Sequence, residues 1–65
     1  MLLLPPRQEE IYYLIKDHRL ISFDFIHRRF MAVPIRTLHY DLEILQKKGY
    51  IVKIGRTRGA LYRLV

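Results

Sequence analysis

The chain has 65 residues and no cysteine. That removes disulfide staples and every Cys-based zinc site, and with them the disulfide-scaffolded class of small secreted proteins. Long apolar runs are also missing. The first, at 1–4, stops at Pro5-Pro6. A signal peptide needs about 7–15 apolar residues behind a basic start, and a spanning helix needs about 20. A soluble, cytoplasmic, nucleoid-associated protein is the expectation. No Gly-rich phosphate loop precedes a helix, and no Ser-His-Asp set can be assembled. His18, His27 and His39 have neither Cys partners nor ligand spacing, so no metal, no cofactor and no enzymatic activity are expected. So short a chain has too few residues to wall off a deep substrate pocket. Acidic residues are scarce as well: none follows Glu43.

What is present is a folded core in prospect. Apolar residues make up 51% of the chain, with five Tyr and three Phe, too many for a disordered basic tail. The length allows a single domain over 1–65, with 1–5 as a loose tail, and such a domain buries only about 60% of its unfolded surface. No linker, repeat or low-complexity segment divides it. The net charge of +6 is unevenly placed. Residues 1–26 sum to −1 and residues 27–65 to +7. A polyanionic partner would therefore be met by the second part of the chain. A merely solvated basic surface is the plainer alternative.

The pattern predicts three helices and a hairpin. Pro5-Pro6 and Glu9-Glu10 suit a helix start, and Ile11, Leu14, Ile15 and His18 share one face, giving a helix over 6–18. Leu20-Ile21-Ser22 fits a turn or one short third strand. Ser22 suits an N-cap for a helix over 23–31, with Phe23, Ile26 and Phe30 inward. Pro34 breaks the chain and opens a helix over 34–48, whose stripe Ile35, Leu38, Leu42, Leu45 faces a core and which stops at Gly49. Tyr50 to Ile54 and Ala60 to Val65 read as two strands around a Gly-flanked loop. The fold class is α+β, mostly α.

Two stretches carry a resemblance. Ile21-Ser22-Phe23-Asp24-Phe25-Ile26-His27-Arg28-Arg29-Phe30 resembles the second helix of DeoR-type repressors. Val33-Pro34-Ile35-Arg36-Thr37-Leu38-His39-Tyr40-Asp41-Leu42 resembles that family's recognition-helix motif, and Leu45 with Gly49-Tyr50-Ile51 is similar to the way those helices end and enter a wing. Pro6-Arg7-Gln8 is similar to the opening of LexA-type domains. The resemblance spans about residues 6–65 and marks the winged helix-turn-helix superfamily. His39-Tyr40 stand where DeoR-type proteins usually carry two arginines, and the turn before the third helix is one residue longer. What the resemblance implies is a three-helix winged helix-turn-helix with a C-terminal two-stranded wing, binding double-stranded DNA in transcription regulation.

The residues themselves point to the same surface. Opposite Leu38, Leu42 and Leu45, a helix over 34–48 presents Arg36, Tyr40, Glu43 and Lys47, flanked by Thr37 and His39. An α-helix fits the major groove, where Arg bonds guanine edges and His or Tyr reach base edges or phosphate. Thr37, in the first turn, is placed for a phosphate. Glu43 suits a cytosine amino group or a neighbouring Arg. Lys47 also compensates the helix dipole. Arg56, Thr57 and Arg58 form the loop tip, placed to straddle the backbone or enter a minor groove. Arg28 and Arg29 face phosphate or pair with Asp24 or Asp41. An ordinary solvated face accounts for the same stripe in the plainer reading. Exposed Tyr13, outward Ile44 and residues 1–4 are candidates for self-association, and a homodimer on a two-fold site would add specificity. The alternatives are a protein–protein assembly module and RNA or single-strand binding.

Overall fold

Pro6 opens the first helix of the computed structural model, in the first turn, where its missing N–H costs nothing. The structure describes residues 3–56 and 59–65. Along the chain, α1 spans Pro6–His18, β1 Leu20–Ser22, α2 Phe23–Arg29, α3 Ile35–Lys47, β2 Ile51–Ile54 and β3 Leu61–Leu64. This is an α+β fold, in which the short segment after α1 is a strand. The sheet is antiparallel in the order β1-β3-β2, so the C-terminal strand is central. No helix among the described residues is long and apolar enough to cross a membrane.

Local chemistry sets the element ends. The Ser22 hydroxyl accepts the Phe25 N–H at 3.2 Å and caps α2. At the other end of α3, Gly49 takes φ +83°. Its N–H donates to Gln46 O and the Tyr50 N–H to Leu45 O, both at 3.0 Å. That pair of bonds is a Schellman stop, and it turns the chain directly into β2.

Three helix ends differ from the expected ones: the third helix stops at Lys47, not 48, with Lys48 as its C-cap, and the other two lie at the α2–α3 junction. The second helix ends at Arg29, not 31, and Phe30 leaves helical geometry with φ −122° and ψ 51°. Pro34 precedes the third helix instead of opening it. Its carbonyl accepts the N–H groups of Thr37 and Leu38 at 3.0 and 3.1 Å. The reason is common to both: Pro34 forces an extended approach, and the four residues before it make the turn.

Strand register sorts the sheet side chains. Ile21 pairs with Tyr62 and Tyr62 with Lys53, while Ile51 pairs with Leu64. These point inward, and Leu20, Val52, Ile54, Leu61 and Arg63 point outward. The core joins Ile11 and Ile15 of α1, Ile26 and Phe30, Leu38, Leu42 and Leu45 of α3, and Ile21, Ile51 and Tyr62 of the sheet. Tyr12 and Tyr50 pack edge to face at its rim, ring centroids 5.6 Å apart.

Three side chains depart from their expected positions. Ile35 is 49% exposed, because the core on α3 begins only at Leu38. His18 is exposed at the end of α1, its Nδ1 3.1 Å from Leu14 O and its ring 4.8 Å from that of Phe25. Ile44 is half-buried, not outward. Of the self-association candidates, Leu3 and Tyr13 are exposed, Leu4 packs on the core, and residues 1 and 2 lie outside the described residues.

Candidate functional site

Helical period places Arg36, Tyr40, Glu43 and Lys47 in one exposed row along α3. Tyr40 is 61% exposed, too open to belong to any core. Glu43 and Lys47, one turn apart, form an ion pair at 3.8 Å, so the partner of Glu43 is a lysine and not the expected arginine, because i and i+4 side chains meet on a helix face. Thr37 is half-buried at one flank of the row. His39 sits at the other flank, its ring flat on that of Phe23 with centroids 4.1 Å apart and planes 2° apart. The stack fixes the imidazole against the start of α2.

A groove of about 530 Å³ opens beside that stack. Phe23 and Asp24 of α2, His39 of α3, and Lys53, Arg56, Ala60 and Tyr62 of the hairpin line it. Two of the sequence-derived candidates, His39 and Arg56, therefore meet at one place. Lys53 and Tyr62 join them because antiparallel register sets them side by side on the inner face. Burial pushes the Tyr62 phenol above its ordinary range, so it is a neutral donor at pH 7. Tyr62 is a core residue that also lines the groove. The signal lay in the Lys53–Tyr62 pairing, which needs the hairpin register and not the strand pattern alone. Thr57 and Arg58, the remaining loop candidates, lie outside the described residues.

Arg28 and Arg29 are not brought to this face. They line a second groove, of about 540 Å³, with Leu14, Asp17, His18 and Phe25, between α1 and α2. Neither makes the pairing expected with Asp24 or Asp41. Asp41 is 1% exposed and already engaged from α1. The Arg7 Nε donates to Oδ2, the Arg7 Nη2 to Oδ1 at 3.3 Å, and the Gln8 Nε2 to Oδ1 at 3.2 Å. The hydrogen bond to Asp41, above all, raises the Arg7 pKa. This bridge ties the start of α1 to the middle of α3 and so fixes the row that α3 presents.

Among the described residues, no three His, Cys, Asp or Glu side chains come together to hold a metal. Both grooves are open surface features that offer charge and rings, not a closed chamber. What the α3 face and the first groove offer chemically is exposed cationic groups beside aromatic rings. The chain matches no protein-family model, no curated protein and no solved structure.

Proposed function

We propose that the chain binds double-stranded DNA as a winged helix-turn-helix module of a small transcriptional regulator. The observation that carries this reading is the continuity of one cationic surface. The exposed α3 row of Arg36, Tyr40, Glu43 and Lys47, in which Glu43 pairs with Lys47 and leaves Arg36 as the row's free cation among the described residues, runs beside a groove that joins His39 to Lys53 and Arg56 of the hairpin. In this reading α3 enters the major groove, and Arg36 donates to guanine O6 and N7. Thr37, His39 and Tyr40 reach phosphate or base edges from the flanks of the row. The hairpin acts as the wing and lies on the adjacent backbone, which Arg56, and Thr57 and Arg58 next to it in the sequence, would contact. Arg28 and Arg29 would meet only phosphates at the edge of the footprint. One module of this kind covers about 600–1,000 Å² of protein surface, so a homodimer on a two-fold site supplies the specificity one copy lacks.

A protein–protein assembly role is the second reading, and one observation favours it. The outer sheet face leaves Leu20 49% and Ile54 44% exposed around Arg63. Selection from a random duplex pool, followed by fluorescence anisotropy across a salt series, separates the two. Duplex binding is expected to weaken with a log–log slope of about −0.9 per phosphate neutralised. Arg36→Ala is expected to cost about 1–3 kcal/mol on the selected site and to relax its sequence preference. Arg56→Ala combined with Arg58→Ala should weaken all sequences alike. If no duplex of any sequence binds at low salt, the DNA reading is wrong.

A further inference from the structure

The Tyr62 side chain is 2% exposed, yet its hydroxyl has no hydrogen-bond partner among the described residues. A buried phenol ordinarily finds one. The hydroxyl is not sealed in the core either: the side-chain polar atom that is both fully buried and unpartnered among the described residues is Gln8 Oε1. Tyr62 lines the groove between α2, α3 and the hairpin.

The rim above it is cationic and unpaired. Lys53 is the direct register partner of Tyr62 on the inner face, and Arg56 follows two residues after the end of β2. Neither has a carboxylate within 4 Å among the described residues. His39, held flat on Phe23, forms one wall. Asp24 is the one acidic residue in the lining, set against two full cations. Ala60 is small enough to leave the floor open to Tyr62. A neutral donor below two unpaired cations suits an oxygen-rich anion, which accepts from both kinds of group.

We propose that this groove is a phosphate-binding site, with the Tyr62 hydroxyl donating from the floor and Lys53 and Arg56 from the rim. The phosphate comes either from a free phosphorylated small molecule or from a nucleic-acid backbone. Only in the second case does the proposal rest on the DNA reading above, which it then deepens by naming the group held.

The test uses the full chain and two probes, inorganic phosphate and a 16-base-pair duplex, followed by NMR at fixed ionic strength. Phosphate is expected to shift the signals of Tyr62, Lys53, Arg56 and His39 saturably, where chloride does not. Tyr62→Phe keeps the ring and the fold and is expected to weaken phosphate affinity about tenfold. Lys53→Met is expected to do the same. Saturation by inorganic phosphate assigns the site to a free ligand, and stands even if no duplex binds. If inorganic phosphate does not saturate, the duplex must shift Tyr62, and Tyr62→Phe must weaken the duplex, for the backbone source to hold. The proposal is overturned if neither probe moves Tyr62, or if Tyr62→Phe binds both probes as tightly as the unsubstituted chain. Duplex binding that leaves Tyr62 unmoved, without phosphate saturation, overturns the phosphate site and leaves the DNA reading intact.

Discussion

Asp41 is the residue on which the geometry of α3 turns. It is a carboxylate at 1% exposure in the middle of that helix, with a half-exposed Arg7 and a buried Gln8 as its donors. The two partners of the ion pair are not equivalent. Freed of Asp41, the Arg7 guanidinium can turn into water, but freed of Arg7, Asp41 stays buried with one amide donor. Burying a charge without its partner costs far more than exposing one. Arg7→Met is therefore expected to destabilise the fold by about 2–3 kcal/mol, and Asp41→Asn by less than about 1 kcal/mol. Urea denaturation of the two variants checks the order. A larger loss for Asp41→Asn would mean that the bridge holds Arg7 in place, not Asp41. The sequence pattern points to Arg28 and Arg29 as partners of Asp41, and the structure gives Arg7 instead. They are near in sequence, whereas Arg7 lies 34 positions away. Only the packing of α1 across α3 brings it close.

Within the elements, what is legible in the sequence follows from rules acting over four or five residues. Ser22 as a cap, Gly49 as a stop, and the α3 row of Arg36, Tyr40, Glu43 and Lys47 all depend on helical period and terminal chemistry alone. Ile35 and the groove do not. Ile35 keeps the period of the apolar stripe but sits where the core has not yet begun, and the groove exists only once the hairpin register is set. Arg19 is another feature that local patterns hide. It links α1 to β1 with φ 68° and ψ −50°, because the chain reverses there within one residue. That backbone region is the strained γ-turn one and costs a side chain about 1–3 kcal/mol, and glycine much less. Set against the extra unfolded-state freedom of glycine, Arg19→Gly is expected to raise stability by about 0.5–1 kcal/mol. The urea midpoint should rise with an unchanged slope. A lower midpoint would show that this junction carries no strain.

At the scale of the whole molecule, the charge is held against itself. The chain carries a net +6, and the described residues contain two ion pairs, Arg7–Asp41 and Glu43–Lys47. Its extents are 31 × 26 × 20 Å, so the described cations lie within about one low-salt Debye length of one another. Like charges held that close repel across the whole fold and weaken it. Raising ionic strength from 10 to 150 mM shortens the screening length from about 30 to about 8 Å. The free protein is therefore expected to gain a few degrees, roughly 2–5 °C, in Tm over that range. A falling Tm would mean that the two ion pairs outweigh the repulsion. Saturating duplex should reverse the sign. The bound anion then neutralises the excess of positive charge, and salt removes the ligand that stabilises the fold. Thermal scans with and without duplex, at both salt concentrations, give opposite slopes if the positive surface is built to be covered by a polyanion. Parallel slopes would mean that its charge serves only solubility.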